Sequence, residues 1–367
     1  MKSYGAINEY VGGELEAPSK FIKIFIFLAL FSGGFLITNK VEAANCGVAG
    51  SAYYISAAGS DSNNGTASTT PWLHHPWDSN KSGNANCALQ AGDTVYMRRG
   101  DTWYNTSLAA AQAGSSGNQI LTTSTSTFYK TSTSDPLPKL SGAYDPSTLT
   151  WAQDGANNDW YVSGTNPIAS APNIVVFNDT VLVATSSQAI VRTTTNSFWY
   201  DSTNKTVYVN VGGASPASGI CEVGKQNYVY LNSQGYQTLS YLELRVANTT
   251  VGAIAFNNGF NSVIFDHDIF KGFHNYAVYQ YSSSNDQVTN SSISEGTSAA
   301  TSGIYLNIVT NSLVSGNTVS GISSGHYPTG SGFGIYVYGA SSGDTITKNL
   351  LNNNYIGIGI LIYAMSF

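Results

Sequence analysis

The sequence predicts an all-β, single-stranded parallel β-helix, a solenoid of stacked coils. Three observations carry this expectation. Short apolar strands recur at a spacing in the twenties. A second apolar motif recurs beside them. The composition suits turns and strands rather than helices.

The first strand set runs Val229-Tyr230-Leu231, Ile254-Ala255-Phe256, Val278-Tyr279, Ile304-Tyr305-Leu306, Ile335-Tyr336-Val337 and Ile360-Leu361-Ile362, with starts 25, 24, 26, 31 and 25 residues apart. A fixed period of this size marks a stacked repeat architecture. No i, i+3, i+4 pattern runs through the strands, which excludes paired helices. The leucine-rich repeat signature is also absent.

The second set pairs apolar residues five positions apart: Leu239 with Leu244, Ile264 with Ile269, Val288 with Ile293, Val314 with Val319 and Ile346 with Leu351. Each pair brackets a tight bend. At the bend stand Leu242, His267, Ser291, Asn317 and Asn349, so an Asn ladder is legible only in the last two coils.

Of the 367 residues, 42% are hydrophobic and only 10% charged, with 37 Gly and 24 Tyr. A surface so poor in charge is built from Ser, Thr, Asn and Gly, which favour turns over helix. With a net charge of −6, nothing suggests the basic stripe that nucleic-acid binding requires, though a local basic groove could still take an acidic polysaccharide.

Residues 1–19 read as an overextended start and 20–43 as a signal peptide. Lys20 and Lys23 precede an apolar run to Ile37, and Val41-Glu42-Ala43 fits a cleavage site. Cleavage leaves no stable membrane insertion and a secreted or cell-surface protein. A retained anchor is the alternative, because the run is nearly long enough to span. The mature domain covers 44–367: a cap, first coils and hairpin insertion over 45–227, then regular coils over 228–367. Asp201 to Lys205 is read as a hairpin turn between Phe198-Trp199-Tyr200 and Val207-Tyr208-Val209. Cys46 and Cys87 are either a disulfide or two unrelated thiols, and Cys221 is a strand residue. The chain stops within a strand at Ile360 to Phe367, so a gene product cut short at its C-terminus is expected.

Residues 53 to 104, with Tyr53-Tyr54-Ile55-Ser56, Gly59 to Gly65, Pro71-Trp72 and Ala91 to Trp103, resemble the opening of secreted β-helix proteins of the pectate-lyase superfamily. The resemblance implies right-handed coils, as the crossover rule for parallel strands also does. It implies a polysaccharide substrate or ligand. The lyases, epimerases, glycosidases and adhesins of this superfamily are not separated by fold.

A lyase needs a basic residue and charge neutralisation, often by calcium held on carboxylates. The scarce charges gather between residues 243 and 295, and Glu243 is expected to stack over Asp268, and Lys271 over Glu295. This places Lys271, Arg245 and His274 as catalytic candidates, and Glu243, Asp266 and Asp268 as ligands for Ca2+. Val263 to Asp268 partly matches the Trp-Ile-Asp-His motif of pectate lyases but lacks its Trp, and no Arg-x-Pro-x-x-Arg follows.

The leading expectation is therefore a lyase-like enzyme cleaving an acidic glycan by β-elimination. A non-catalytic carbohydrate-binding or adhesin-type surface protein is the rival. A glycoside hydrolase is a further alternative, with Gly325-His326-Tyr327 the nearest piece of its motifs. Tyr279, Tyr281, Tyr305, Tyr336 and Tyr338 recur on the strands, either to meet sugars or because strands favour Tyr.

Overall fold

The computed structural model describes residues 43–163, 168–249, 253–322 and 332–362. The leader, its cleavage site up to residue 42 and His326 lie outside them. The described chain is a right-handed parallel β-helix with three long sheets and an antiparallel insertion.

Each regular coil contributes one short strand to each sheet. The coil from Gln237 shows the order: Gln237–Ser240 in the first sheet, Glu243–Ala247 in the second and Ala253–Asn258 in the third. The next coil repeats it as Val263–Asp266, Ile269–Phe273 and Tyr276–Tyr281. Strands pair in parallel with the coils before and after them, which satisfies their backbone groups.

The interior is a set of apolar columns. The first sheet stacks Leu239, Phe265, Val288, Val314 and Ile346. The second stacks Leu244, Phe270, Ile293, Val319 and Leu351. Four of the five expected pairs fall on these columns. The fifth is displaced by one residue: Phe265 and Phe270 are buried where Ile264 and Ile269 were expected. Both parities of that strand are apolar, and the larger rings take the core. A one-residue slip exchanges the two faces of a strand.

The slip corrects the bend ladder too. Asp268, not His267, occupies the bend of that coil. Its Oδ1 accepts from the Leu242 N–H at 2.9 Å, and its own N–H donates to Ser291 Oγ at 3.1 Å. Ser291 N–H donates to Asn317 Oδ1, and Asn317 N–H to Asn349 Oδ1, both at 2.9 Å. The residue before each bend is left-handed: Tyr241, His267, Asn290 and Lys348 have φ between 51° and 57°, and Gly316 has 72°.

A second bend joins the third sheet to the first. There Asp286 is 1% exposed. Its Oδ1 accepts from Val263 N–H at 2.9 Å, and its Oδ2 from Asn257 Nδ2 at 3.0 Å and from Ser283 Oγ.

The insertion leaves the helix after Lys139–Ser141 of the second sheet and returns at Tyr230–Asn232 of the third, within a single coil. The expected hairpin is present: Ser197–Asp201 pairs antiparallel with Thr206–Asn210. The insertion has its own core, including Val175, Phe198, Val207, Val209 and Cys221. A small apolar seam of Ile174, Val176 and Val181 on Ala143 and Val246 joins it to the second sheet.

Cys46 and Cys87 form a disulfide that closes 41 residues at the N-terminal end. A loop of this length is worth about 3–4 kcal/mol in the chain-entropy account. Cys87→Ser is expected to lower stability by that order, read by thermal denaturation without reductant. Addition of reductant to the native protein should reproduce the loss.

Candidate functional site

The outward side of the second sheet carries the charge cluster. Alternation along the strand turns Leu244 into the helix and Glu243 and Arg245 outward; the left-handed turn at Val246 then presents Val246 to the insertion and returns Ala247 to the core. The outward residues are nonetheless buried, because the insertion covers them. Lys139 pairs with Glu243 in register, and Arg245 lies between Ser141 and Lys271. After Arg245 the strand turns at Val246, whose φ of 56° is costly for a β-branched residue.

Arg245 collects three carboxylates. Its Nη1 meets Glu243 Oε1 at 2.7 Å. Its Nη2 meets both Glu222 Oε2 at 2.6 Å and Asp179 Oδ1 at 2.7 Å. Asp179 lies in the tight turn between Val175–Phe177 and Thr180–Val181, and Glu222 on Cys221–Val223, all in the insertion. Ser141 Oγ donates to the second oxygen of Glu222 at 2.7 Å. Lys271 Nζ lies 3.9 Å from Asp179 and 3.6 Å from Glu295.

Beside this network is a cavity of about 250 Å³ lined by Tyr104, Lys139, Asn178, Asp179, Glu222 and Arg245, with Thr102 and Ile220. The two carboxylates that share Nη2 are driven apart in proton affinity. Burial raises the Glu222 carboxyl above its ordinary value, against the pull of Arg245 and Ser141. Burial also acts upward on Asp179, but its hydrogen bond to Arg245 and the charges of Arg245 and Lys271 outweigh it and hold the group low. Half of the Asp179 side chain is exposed, against 3% for Glu222. Burial acts downward on Arg245, but Glu222 and Glu243 reverse this and raise it, so the guanidinium stays charged.

Of the six residues singled out from sequence, Arg245, Glu243 and Lys271 meet at this cluster. His274 lies across the apolar seam, lining a second cavity of about 250 Å³ with Thr297 and Phe198. Asp266 belongs to the first sheet, where it bonds His267 Nδ1 at 2.8 Å and the side chains of Thr289 and Asn290. Asp268 is buried in the bend ladder. Glu243 stacks on Ile269 rather than Asp268, so the three carboxylates expected to share a cation stand on separate features. Lys271 pairs in register with Ser294 and reaches Glu295 from there. Among the described residues, no three His, Cys, Asp or Glu side chains form a group that could hold a metal ion.

Asp179 and Glu222 were missed because the insertion brings them in from outside the repeat. The available signal was Glu222 itself, a charge within the apolar alternation Ile220-Cys221-Glu222-Val223.

The family model described as "Periplasmic copper-binding protein (NosD)" matches residues 173–366, more than half of the chain. The chain belongs to the NosD family. Solved structures similar to this NosD-family chain include XylC in complex with xylose, at a TM-score of 0.64 and 13% identity over 84% of this chain. The chain spans 60% of the XylC chain's length. A glycoside hydrolase gives a TM-score of 0.50 at 8% identity, covering 85% of this chain and 96% of that one. Pectate lyase Pel9A gives 0.42 at 12% identity, covering 87% and 64%. At these identities the likeness is one of fold. No curated protein matches the sequence. No helix among the described residues is long and apolar enough to cross a membrane.

Proposed function

We propose that this NosD-family chain is an exported, carbohydrate-active β-helix protein, and that the cleft beside Arg245 is its glycan site. The observation that carries the reading is the Asp179–Glu222 pair on one guanidinium nitrogen. Two nearby carboxyls with opposite shifts are the arrangement that assigns an acid and a base. Glu222, whose proton affinity burial raises, is the member of the pair suited to deliver a proton to a glycosidic oxygen. Asp179, ionised and half exposed, is suited to attack or stabilise the anomeric carbon. Glycoside hydrolysis needs such a pair. Lys139 and Tyr104 line the same cavity, within reach of sugar hydroxyls.

β-Elimination finds less support here. Arg245 is engaged by carboxylates on both terminal nitrogens and cannot serve as base. Lys271 stands between Asp179 and Glu295, and is the residue an elimination would have to use. Export is supported by the leader read in the sequence, the Cys46–Cys87 disulfide and the periplasmic family description.

The family description raises copper, which prefers imidazole, thiolate and thioether ligands. The described residues do not fit it. Cys221 and Met97 are buried in separate cores. His75 is buried against Thr122, and burial pulls it down to about 3. His74 is held by Asp61 and His267 by Asp266, on different parts of the molecule.

The test is a panel of neutral and acidic glycans read for both reducing ends and absorbance near 235 nm. The expected result is release of reducing ends without the absorbance of an unsaturated uronate. Asp179→Asn and Glu222→Gln should each lower kcat by about 100-fold or more. A rise at 235 nm that Lys271→Ala abolishes would replace hydrolysis by elimination. Binding without turnover would leave the cleft a lectin-like site.

A further inference from the structure

The third sheet carries a feature that the cleft does not use. Its outward column reads Phe256, Tyr279, Tyr305 and Tyr336 in register. Ring centroids in this column lie 4.8, 4.8 and 5.3 Å apart, with planes within 26° of parallel. Phe333 closes the stack on Tyr336 at 4.4 Å. It lies over Gly359, where a methyl group would come 2.3 Å from the ring. Tyr276 stacks on Tyr305 from the side. Tyr281 and Tyr338 stand across the stack, at 62° to Tyr279 and 54° to Tyr305.

Eight rings thus form one strip over four coils. All but Tyr305 are partly exposed, and none belongs to the interior core. Stacking between strands accounts for the ladder but not for the flanking Tyr281 and Tyr338. Those two set partly exposed rings beside it, two coils apart. The strip is also free of charge: the strands Ala253–Asn258, Tyr276–Tyr281, Ser302–Asn307, Phe333–Gly339 and Ile356–Ile362 contain no Asp, Glu, Lys or Arg.

We propose that this strip binds an uncharged polysaccharide lying along the helix axis. Three properties fit that occupant. Aromatic rings meet the C–H faces of sugars, and phenol hydroxyls and Asn amides meet their hydroxyls. An anionic chain would find no cation there, so charge selects neutral glycans. The strand spacing of about 4.8 Å repeats the same groups once per coil, which suits a polymer of similar repeat rather than a single sugar. The strip lies on a different sheet from the Arg245 cleft, so it would hold polymer independently of the chemistry there.

Affinity electrophoresis of the full chain tests this, in native gels containing hydroxyethyl cellulose, mixed-linkage β-glucan, galactomannan or pectate. Retardation is expected in at least one neutral gel and not in pectate. The Tyr281→Ala/Tyr338→Ala double variant, which spares the central stack, should bind at least tenfold more weakly. Asp179→Asn should be retarded like the unaltered protein, and the tyrosine variant should keep any turnover of short soluble oligosaccharides. Loss of retardation in the tyrosine variant alone supports the strip even if the cleft proves inactive. Mobility unchanged in every neutral gel, or unchanged by the double substitution, would overturn the proposal. So would a dimer in light scattering that the double substitution dissolves, since that assigns the strip to a second copy of the chain.

Discussion

Arg245→Met is expected to cost about 3–5 kcal/mol at neutral pH, the range found when one partner of a buried ion pair is removed. Methionine keeps most of the stem, so little packing is lost. What remains is Glu222 and Glu243, both nearly buried, without the guanidinium that neutralises them. The loss should fall on the insertion first, because Asp179 and Glu222 belong to it and Arg245 to the helix. Denaturant titration followed by Trp160 and Trp199 fluorescence, both in the insertion, should show an early transition absent from the far-ultraviolet signal of the coils. The sign with pH is fixed. Burial already raises the Glu222 carboxyl against the pull of Arg245, and without the guanidinium it is raised further, so its protonation favours the folded form. Stability is therefore regained as pH falls toward 4 and lost again as pH rises. Adding Glu222→Gln to Arg245→Met should recover part of the loss at pH 7. If Arg245→Met unfolds with the midpoint and cooperativity of the unaltered protein, the clamp has no mechanical role.

Asp286→Asn is expected to do the opposite and stabilise the protein at alkaline pH. Burial raises the Asp286 carboxyl to about 7, against its hydrogen bonds from Ser283, Val263 and Asn257. A folded-state value above the unfolded one means that stability is fully present below about pH 4. It is then lost progressively as pH climbs through 7. A shift of this size sets a ceiling of roughly 4 kcal/mol on the loss by pH 8.5. The asparagine carries no charge, and its Oδ1 can still accept from Val263, as those of Asn317 and Asn349 accept in the neighbouring ladder. Its Nδ2 cannot accept from Asn257, a cost that is the same at every pH, so the slope with pH reports the carboxyl. Midpoints of thermal unfolding for both proteins between pH 4.5 and 8.5 give the answer. The gap should open with rising pH, and a constant gap would remove Asp286 as its source. Asp268 and Asp344 are raised by burial too, so the variant should retain some pH slope.

Much of the fold was legible because a solenoid writes its geometry locally. Each coil repeats the same apolar pair, and four of five pairs were read at the right residue. The coil of Phe265 was misread because Ile264 and Phe265 are both apolar, so alternation gave no parity. That one step misplaced Asp268 beneath Glu243 and His267 in the ladder. Half of the Arg245 cluster was legible. Arg245, Glu243 and Lys271 stood out because charge is scarce in this chain. Asp179 and Glu222 reach Arg245 only through the folding-back of the insertion, which no periodicity records. The disulfide was open for a similar reason: the approach of Cys46 to Cys87 depends on how the cap closes, not on spacing.

The insertion departs and returns between two strands of one coil, and the parallel ladder continues past it without a break. The fold thereby lets the insertion and the coil number vary separately. The loop excursion can change its residues, and with them the groups that face Arg245, while the coils stay in step. The number of coils can grow or shrink, lengthening or shortening the aromatic strip, while the excursion is untouched. The length of the solenoid and the residues presented to Arg245 are thus set on different stretches of the sequence, and each is free to drift without consulting the other.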